Sequence, residues 1–453
     1  MGIPLQRDFG RTLTLGLPLV GSQLAQVLVG LTDTVMLGWY SVPALAAVTL
    51  GASFFFVFMV VGSGFAYAVL PMSAEAVGRE DEVRARRVAR MGLWLSVLFG
   101  ALVLPAFWWS GLLLRAAGQD PQVALDAQSY LRIAGLGMIP ALLTATLRSH
   151  LSALEHTRIV LWATLAAAAL NGGLNWLLIF GNWGFPELGL EGAAIASLGV
   201  HTLTLLVLAR YATHGPGMAR FELLKNLHRS DWPIFAEIFR LGWPIGLTHL
   251  AESGLFVATA LMMGWLGTVP LAAHGIAIQV AMIGFMVHMG LSAAATVRVG
   301  HAWGRGDRPA VIRAAVAASL LSAVAVLVAT ALYLGAGTQI VALFLDSADP
   351  QAPAILVLGV HLLMLAALFQ LVDAGQVMAL GMLRGVQDTR APMVLAIVSY
   401  WVLGLPASYV LGFVFSWGPS GIWLGLTVGL AAAALALGWR FVSLVRADAR
   451  VRP

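Results

Sequence analysis

Twelve stretches of mostly apolar residues run through this chain of 453 residues, at about 12–38, 45–72, 89–113, 123–147, 159–181, 190–213, 237–265, 270–299, 311–335, 353–383, 391–415 and 421–444. As helices, segments of this length cross a hydrocarbon core of about 30 Å. Inside lipid the backbone must satisfy its own hydrogen bonds, which leaves helices or a closed barrel. Strand-like alternation is absent, so the pattern predicts an all-α polytopic membrane protein with twelve transmembrane helices. Charged residues make up only 10% of the chain and the mean hydropathy is +0.87, too little charge to cover a water-facing surface.

The second half of the chain repeats the first. Leu15-Gly16-Leu17-Pro18 returns 226 positions later as Leu241-Gly242-Trp243-Pro244. At the same offset Met36, Gly38 and Trp39 meet Met262, Gly264 and Trp265, and Leu45-Ala46-Ala47 meets Leu271-Ala272-Ala273. Gly78-Arg79-x-Asp81 likewise meets Gly304-Arg305-x-Asp307. Asp120-Pro121-Gln122 and Thr157-Arg158 find Asp349-Pro350-Gln351 and Thr389-Arg390 after shifts of a few residues. The expected architecture is two pseudo-symmetric six-helix lobes related by an axis along the membrane normal, a plan used by transporters whose halves enclose a mid-membrane site. The boundaries read from the sequence are an N-lobe at 1–213, a linker at 214–236 and a C-lobe at 237–453.

Arginine sets the orientation. Arg7 and Arg11 precede the first segment, Arg79, Arg84, Arg86, Arg87 and Arg90 follow the second, and Arg148 and Arg158 flank the next connection on that side. Arg220, Lys225 and Arg229 lie between the halves, and Arg298, Arg305, Arg308 and Arg313 around the connection after the eighth segment. Arg384 and Arg390 follow the tenth, and Arg446, Arg450 and Arg452 the last. The alternate connections hold Asp120, Glu187, Asp346 and Asp349 instead. The positive-inside rule then puts both termini and 214–236 in the cytoplasm of a cell whose plasma membrane the chain crosses. The basic balance, with a pI near 10, reports this topology and not a nucleic-acid face. There is no cysteine, so disulfide and thiolate chemistry are excluded. The sole lysine, Lys225, follows Leu224, so no P-loop for ATP is present.

Four charges lie well inside apolar segments, away from their ends: Asp33, Arg132, Glu252 and Asp373. A charge at mid-membrane costs about 3 kcal/mol on insertion scales, so such residues face a cavity or a partner. Arg132, nearer the outer end of its segment than the inner, reads as a snorkelling structural residue. Under the repeat Asp33 aligns with Thr259 and Glu252 with Gln26, so each lobe keeps polar groups at both positions and an acid at one. Gln26 and Asp33 share a helix face, as do Glu252 and Phe256, and Phe369 and Asp373. An acid with an aromatic one turn away suits a small or an organic cation. Asn171, Asn175 and Ser197 add oxygen donors in the first lobe, and ordinary inter-helical hydrogen bonding accounts for them equally well. The histidines show no i, i+4 metal pair. His249, one turn before Glu252, is placed to share its proton. Arg305-Gly306-Asp307 mirrors Arg79-Glu80-Asp81, and Gly381-x-x-x-Gly385 is one spacing among 49 glycines, so neither is taken as a site.

Three motifs in this order resemble the multidrug and toxic compound extrusion (MATE) family over essentially the whole chain. They are Asp33-Thr34-Val35-Met36-Leu37-Gly38, Ala272-Ala273-His274 and Arg384-Gly385-x-Gln387-Asp388-Thr389. Glu252 and Asp373 are similar to the acid pair of the bacterial NorM-type branch, which the resemblance implicates in Na⁺ or H⁺ coupling. The resemblance also implies that Asp33, Asn175 and Ser197 match first-lobe cation-site positions. It likewise implies that Ser53, Phe256 and Glu252 match positions near bound drug. Two departures stand out: Gly275 follows Ala-Ala-His where relatives often carry Gln, and Phe369 takes the place of a tyrosine found in some relatives.

The expectation is a monomeric antiporter of a bacterial inner membrane, using no cofactor and no ATP. It would expel lipophilic organic cations in exchange for Na⁺ or H⁺, with Asp33, Ser53, Glu252, Phe256, Phe369 and Asp373 toward the substrate. Glu252, Asp373, Asp33, Asn175 and Ser197 would face the coupling ion. The alternative is a lipid-linked oligosaccharide flippase, for which a more cationic cavity is expected. An intramembrane enzyme would need a nucleophile–base or metal constellation, and none is present in the sequence.

Overall fold

The computed structural model describes residues 2–346 and 349–448. Arg450 and Arg452 of the orientation argument lie outside them. The described residues hold twelve helices long and apolar enough to cross a membrane. They are α1 (Gln6–Tyr40), α2 (Pro43–Gly78), α3 (Glu82–Trp108), α4 (Pro121–Ala153), α5 (Thr157–Phe180) and α6 (Gly189–His214). The second set is α7 (Trp232–Leu266), α8 (Thr268–Gly304), α9 (Arg308–Ala342), α10 (Ala352–Gly385), α11 (Arg390–Val414) and α12 (Gly418–Ala447). Each apolar stretch corresponds to one spanning helix, generally with added charged residues at the ends; the third is cut short, since α3 stops at Trp108 and residues 110–113 of that stretch belong to a separate short helix. The connection between the halves is correspondingly shorter than 214–236, since His214 closes α6 and Trp232 opens α7.

Several repeated motifs have a local explanation. Asp81 and Asp307 are matched N-caps: Asp81 Oδ1 accepts from the Arg84 amide at 2.8 Å and Asp307 Oδ1 from the Ala310 amide at 2.9 Å. Asp120 accepts from the Gln122 and Val123 amides, and Asp349 from the Gln351 amide. Three of the described helices depart from regularity, α9 among them at Ala336, whose φ of −125° and ψ of 16° are not helical. A 3₁₀ turn at Gly135–Gly137 interrupts α4, and α11 is π-helical over Val398–Gly404 and Val410–Val414. A short helix, Ser110–Ala116, lies between α3 and α4.

The chain divides into two compact units, and the division does not fall in the connection between the halves. One unit comprises Gly21–Gly246; the other comprises Met1–Val20 with Leu247–Pro453. The start of α7 therefore packs with the first unit and the start of α1 with the second. Both cuts lie two residues past the repeated prolines, Pro18 and Pro244, each of which removes a hydrogen bond from its helix.

Each helix start lies against a glycine of its host. In the first unit a methyl on Gly246 would stand 2.7 Å from the Val61 carbonyl oxygen, and Gly64 meets Gly242 and Gly246 backbone. In the second unit a methyl on Gly290 would stand 2.5 Å from Val20 Cα. Gly64 and Gly290 are 226 apart, the offset of the repeat.

Ionic clasps fix the same two segments. Asp231 at the start of α7 pairs with Arg87, and Arg84 donates to Glu237 at 2.9 Å. Asp8 of α1 is gripped by Arg298 and by Arg313. The segment before α7 lies along the basic face of α3, through Arg86 to Glu222, Arg90 to the Asn226 carbonyl and Trp94 to the Leu227 carbonyl. Lys225, hydrogen-bonded to Glu222, holds that carboxyl below its ordinary range.

Gly381-x-x-x-Gly385, set aside above, is a packing motif. Ser292 and Thr296 of α8 donate to the carbonyls of Val377 and Gly381 of α10, both at 2.8 Å. A methyl on Gly385 would stand 2.8 Å from Val299.

Candidate functional site

In the unit Gly21–Gly246, Asp33 of α1 is met by two other helices. Asn175 Nδ2 of α5 donates to Asp33 Oδ1 at 2.5 Å and Ser197 Oγ of α6 donates to Oδ2 at 3.1 Å. Asn175 Nδ2 also lies 3.4 Å from Asn171 Oδ1, as the four-residue spacing on one face requires. Both asparagines are fully buried, while Asp33 is half-buried. Asn175 Oδ1 has no protein partner. The cluster thus offers a carboxylate and spare oxygen, with no basic side chain among the described residues hydrogen-bonded to the acid.

The other sequence-predicted groups of this unit do not join the cluster. Gln26 donates to the Ser22 carbonyl and to Gln23 Oε1, within its own helix. Ser53 of α2 is exposed and donates to the Thr49 carbonyl at 2.8 Å. Arg132 is exposed, with Nε on the Trp108 carbonyl at 3.2 Å and its guanidinium 5.3 Å from the centre of the Trp108 ring, as its structural reading implies.

In the second unit Glu252 of α7 and Asp373 of α10 come together through a residue the sequence reading missed. Gln376 Nε2 donates to Glu252 Oε1 at 2.6 Å and to Asp373 Oδ1 at 3.2 Å. Its carbonyl oxygen accepts from the hydroxyl of Tyr400, which sits on the π-helical turn of α11. Every polar atom of this amide is used, and a π-turn is a common way of aiming a side chain at a functional cluster. Gln376, Asp373 and Tyr400 are fully buried, and Glu252 is nearly so. Asp373 Oδ2 and both polar atoms of Gln370, one turn before it, are buried without a partner. Oxygens in that condition suit a proton or a small hard cation.

The aromatics predicted beside these acids form a continuous group. Phe256 meets Phe369 edge-on at 6.1 Å between ring centres, and Phe369 meets Trp423 at 5.5 Å. Trp423 Nε1 donates to His274 Nδ1 at 3.2 Å. Thr259, the repeat partner of Asp33, turns its hydroxyl to the Leu255 carbonyl and takes no part. Of the two missed residues Gln376 had a signal, being three after Asp373 and therefore on its face. Tyr400 had none, being distant in sequence from both acids. Among the described residues no group of three or more His, Asp or Glu side chains is arranged to hold a metal ion.

Comparison with known proteins follows the same repeat. A family model described as MatE matches residues 18–177 and again 244–410. A protein of Rhizobium meliloti (strain 1021) named “Probable multidrug resistance protein NorM” is 44% identical over 97% of this chain and 94% of its own length. One of the same name from Synechocystis sp. is 37% identical over 97% of this chain and 96% of its own. Among solved structures, the eukaryotic MATE transporter AtDTX14 has a TM-score of 0.84 at 20% identity, covering 97% of this chain and 96% of that one. A MOP superfamily transporter from Pyrococcus furiosus has a TM-score of 0.86 at 21% identity, covering 99% and 98%.

Proposed function

The chain belongs to the MatE family, and from that premise we propose that it is a secondary antiporter that expels lipophilic organic cations in exchange for Na⁺ or H⁺. Members of this family are transporters, and the chain is a multi-pass membrane protein and not an enzyme. The names of its relatives support drugs as cargo. The observation that carries the reading is the pairing of Glu252 and Asp373 through one neutral amide. Two buried carboxylates so close repel each other, and a single positive charge between them relieves that repulsion. The charge is the coupling ion in one phase of the cycle and the organic cation in the other. Competition for the acids produces exchange without contact between cargo and ion. Asp33, in its own cluster, is a separate site of the same kind.

Each charge carried inward releases about 2.3 kcal/mol per 100 mV, which supplies the work without ATP. The arginine distribution supports both termini inside, and the bacterial sources of the relatives support a bacterial inner membrane. Efflux of ethidium from vesicles, driven separately by a sodium gradient and a pH gradient, tests the reading. We expect transport with one of the two. Glu252→Gln with Asp373→Asn should abolish it at unchanged abundance in the membrane. Wild-type rates in that double variant would reject the pair as the coupling site.

A further inference from the structure

Glu252 has a second neighbour that the exchange described above does not use. His249, one turn earlier on α7, sets Nδ1 3.7 Å from Glu252 Oε2, and its Nε2 lies 3.0 Å from a terminal nitrogen of Arg384. A guanidinium has donors only, so Nε2 must present its lone pair. The neutral ring therefore carries its proton on Nδ1, facing Glu252. Arg384 stands at the last turn of α10, next to Gly385 where that helix ends, on the side to which the arginines assign the cytoplasm. The result is a chain of polar groups running from a helix end to the buried acids: Arg384, His249, Glu252, Gln376, Asp373. The charged groups acting on His249 are Arg384 of α10 and Glu252 of its own helix, and Tyr400 of α11 reaches the pair from the opposite side through Gln376.

We propose that His249 carries the proton from the Glu252–Asp373 pair to the cytoplasm and that Arg384 captures the discharged state. This rests on the reading of that pair as the coupling site, and it names the ion there as H⁺. With Arg384 drawn aside, the neutral ring holds its proton on Nε2 and its lone pair on Nδ1. The O–H bond of protonated Glu252 breaks as an N–H bond forms at Nδ1. The imidazolium so formed loses its Nε2 proton to water at the cytoplasmic end. An ionised Glu252 and an Nδ1-protonated neutral ring remain, and the bared Nε2 accepts from Arg384. One proton has passed from carboxyl to water and the ring proton has moved from Nε2 to Nδ1, which is the final arrangement in the structure; exchange of that ring proton through water returns it to Nε2 before the next cycle. A protonated ring cannot accept at Nε2, so the Arg384 contact forms only after the proton has gone.

The test uses the full-length protein in liposomes with ethidium as cargo. His249→Gln keeps a group that can accept from Arg384 and donate toward Glu252 but cannot pass a proton through itself. It should slow pH-driven transport by about a hundredfold and flatten the dependence on inner-side pH. It should leave the Kd for ethidium unchanged, and added imidazole should restore part of the rate. His249→Asn is the second variant, should the first fail to reach the membrane. Wild-type rate and pH profile in either variant would overturn the proposal, and so would a slowing that imidazole does not relieve and that leaves the pH profile intact. Wild-type transport driven by sodium alone would sink the relay and leave the antiporter standing. Failure of both gradients to move ethidium in the wild-type protein would reject the antiporter itself, and the relay with it.

Discussion

At the scale of single residues, both acid clusters are organised by a carboxamide and not by a base. Asn175 serves Asp33, and Gln376 serves Glu252 and Asp373. The choice matters because an arginine in either place would cancel the acid's charge, whereas an amide orients the carboxylate and leaves the charge for a mobile cation. Gln376→Leu deprives two buried acids of their shared donor and the Tyr400 hydroxyl of its acceptor. Each such loss costs about 1–3 kcal/mol, so the melting temperature in detergent should fall by several degrees, which a thermal-shift assay measures. Tyr400→Phe should lower it less, since it leaves both acids bonded. An unchanged melting temperature in Gln376→Leu would refute the bridging role. The acids themselves were legible in the sequence because a charge inside an apolar run has few innocent explanations. The amide and the phenol were not, because Gln and Tyr are unremarkable there and only the fold brings α10 and α11 together. Arg384 was read only as a topological charge at a helix end, and nothing in the sequence tells that it also reaches His249.

Among the elements, α1 and α7 differ from the rest in belonging to two units at once. Their existence was legible from hydropathy and their prolines from the repeat. Their division was not, because packing partners depend on close backbone approaches that no hydropathy window detects. Gly290 is such an approach, with the α1 backbone where a side chain would stand. Gly290→Val should overpack the crossing, at a cost of about 1–3 kcal/mol. It should be visible as a lower melting temperature and less monodisperse protein on size exclusion. Gly275, also on α8, has open space where a methyl would stand, with nothing within 4 Å, so Gly275→Ala should be neutral or slightly stabilising. Equal behaviour of the two would contradict the assigned packing.

For the whole molecule, exposed residues on the two sides of the membrane report its orientation. His228, before α7, and Glu187, between α5 and α6, are both exposed. The chain has no native cysteine, so His228→Cys and Glu187→Cys each report a single position. In intact cells an impermeant thiol reagent should label Glu187→Cys and leave His228→Cys unmodified, and the reverse pattern would invert the topology. The twelve crossings and their pairing into halves were legible from the sequence alone. The membership of each segment was not, and the paired clasps explain why: Arg87 and Arg313 are repeat equivalents, yet each grips the opening of the other half's first helix, Asp231 and Asp8 respectively.

That reciprocal exchange of helix openings is the geometry of a domain-swapped dimer whose two copies have been joined end to end. In such an arrangement the covalent connection is not what keeps the halves in register; each half holds a piece of the other inside its own packing. A chain nicked between Lys225 and Arg229 should therefore purify as one particle, and two separately encoded fragments divided there should assemble with each other. Either fragment expressed alone would be missing a helix opening that its packing requires, while carrying one that belongs elsewhere.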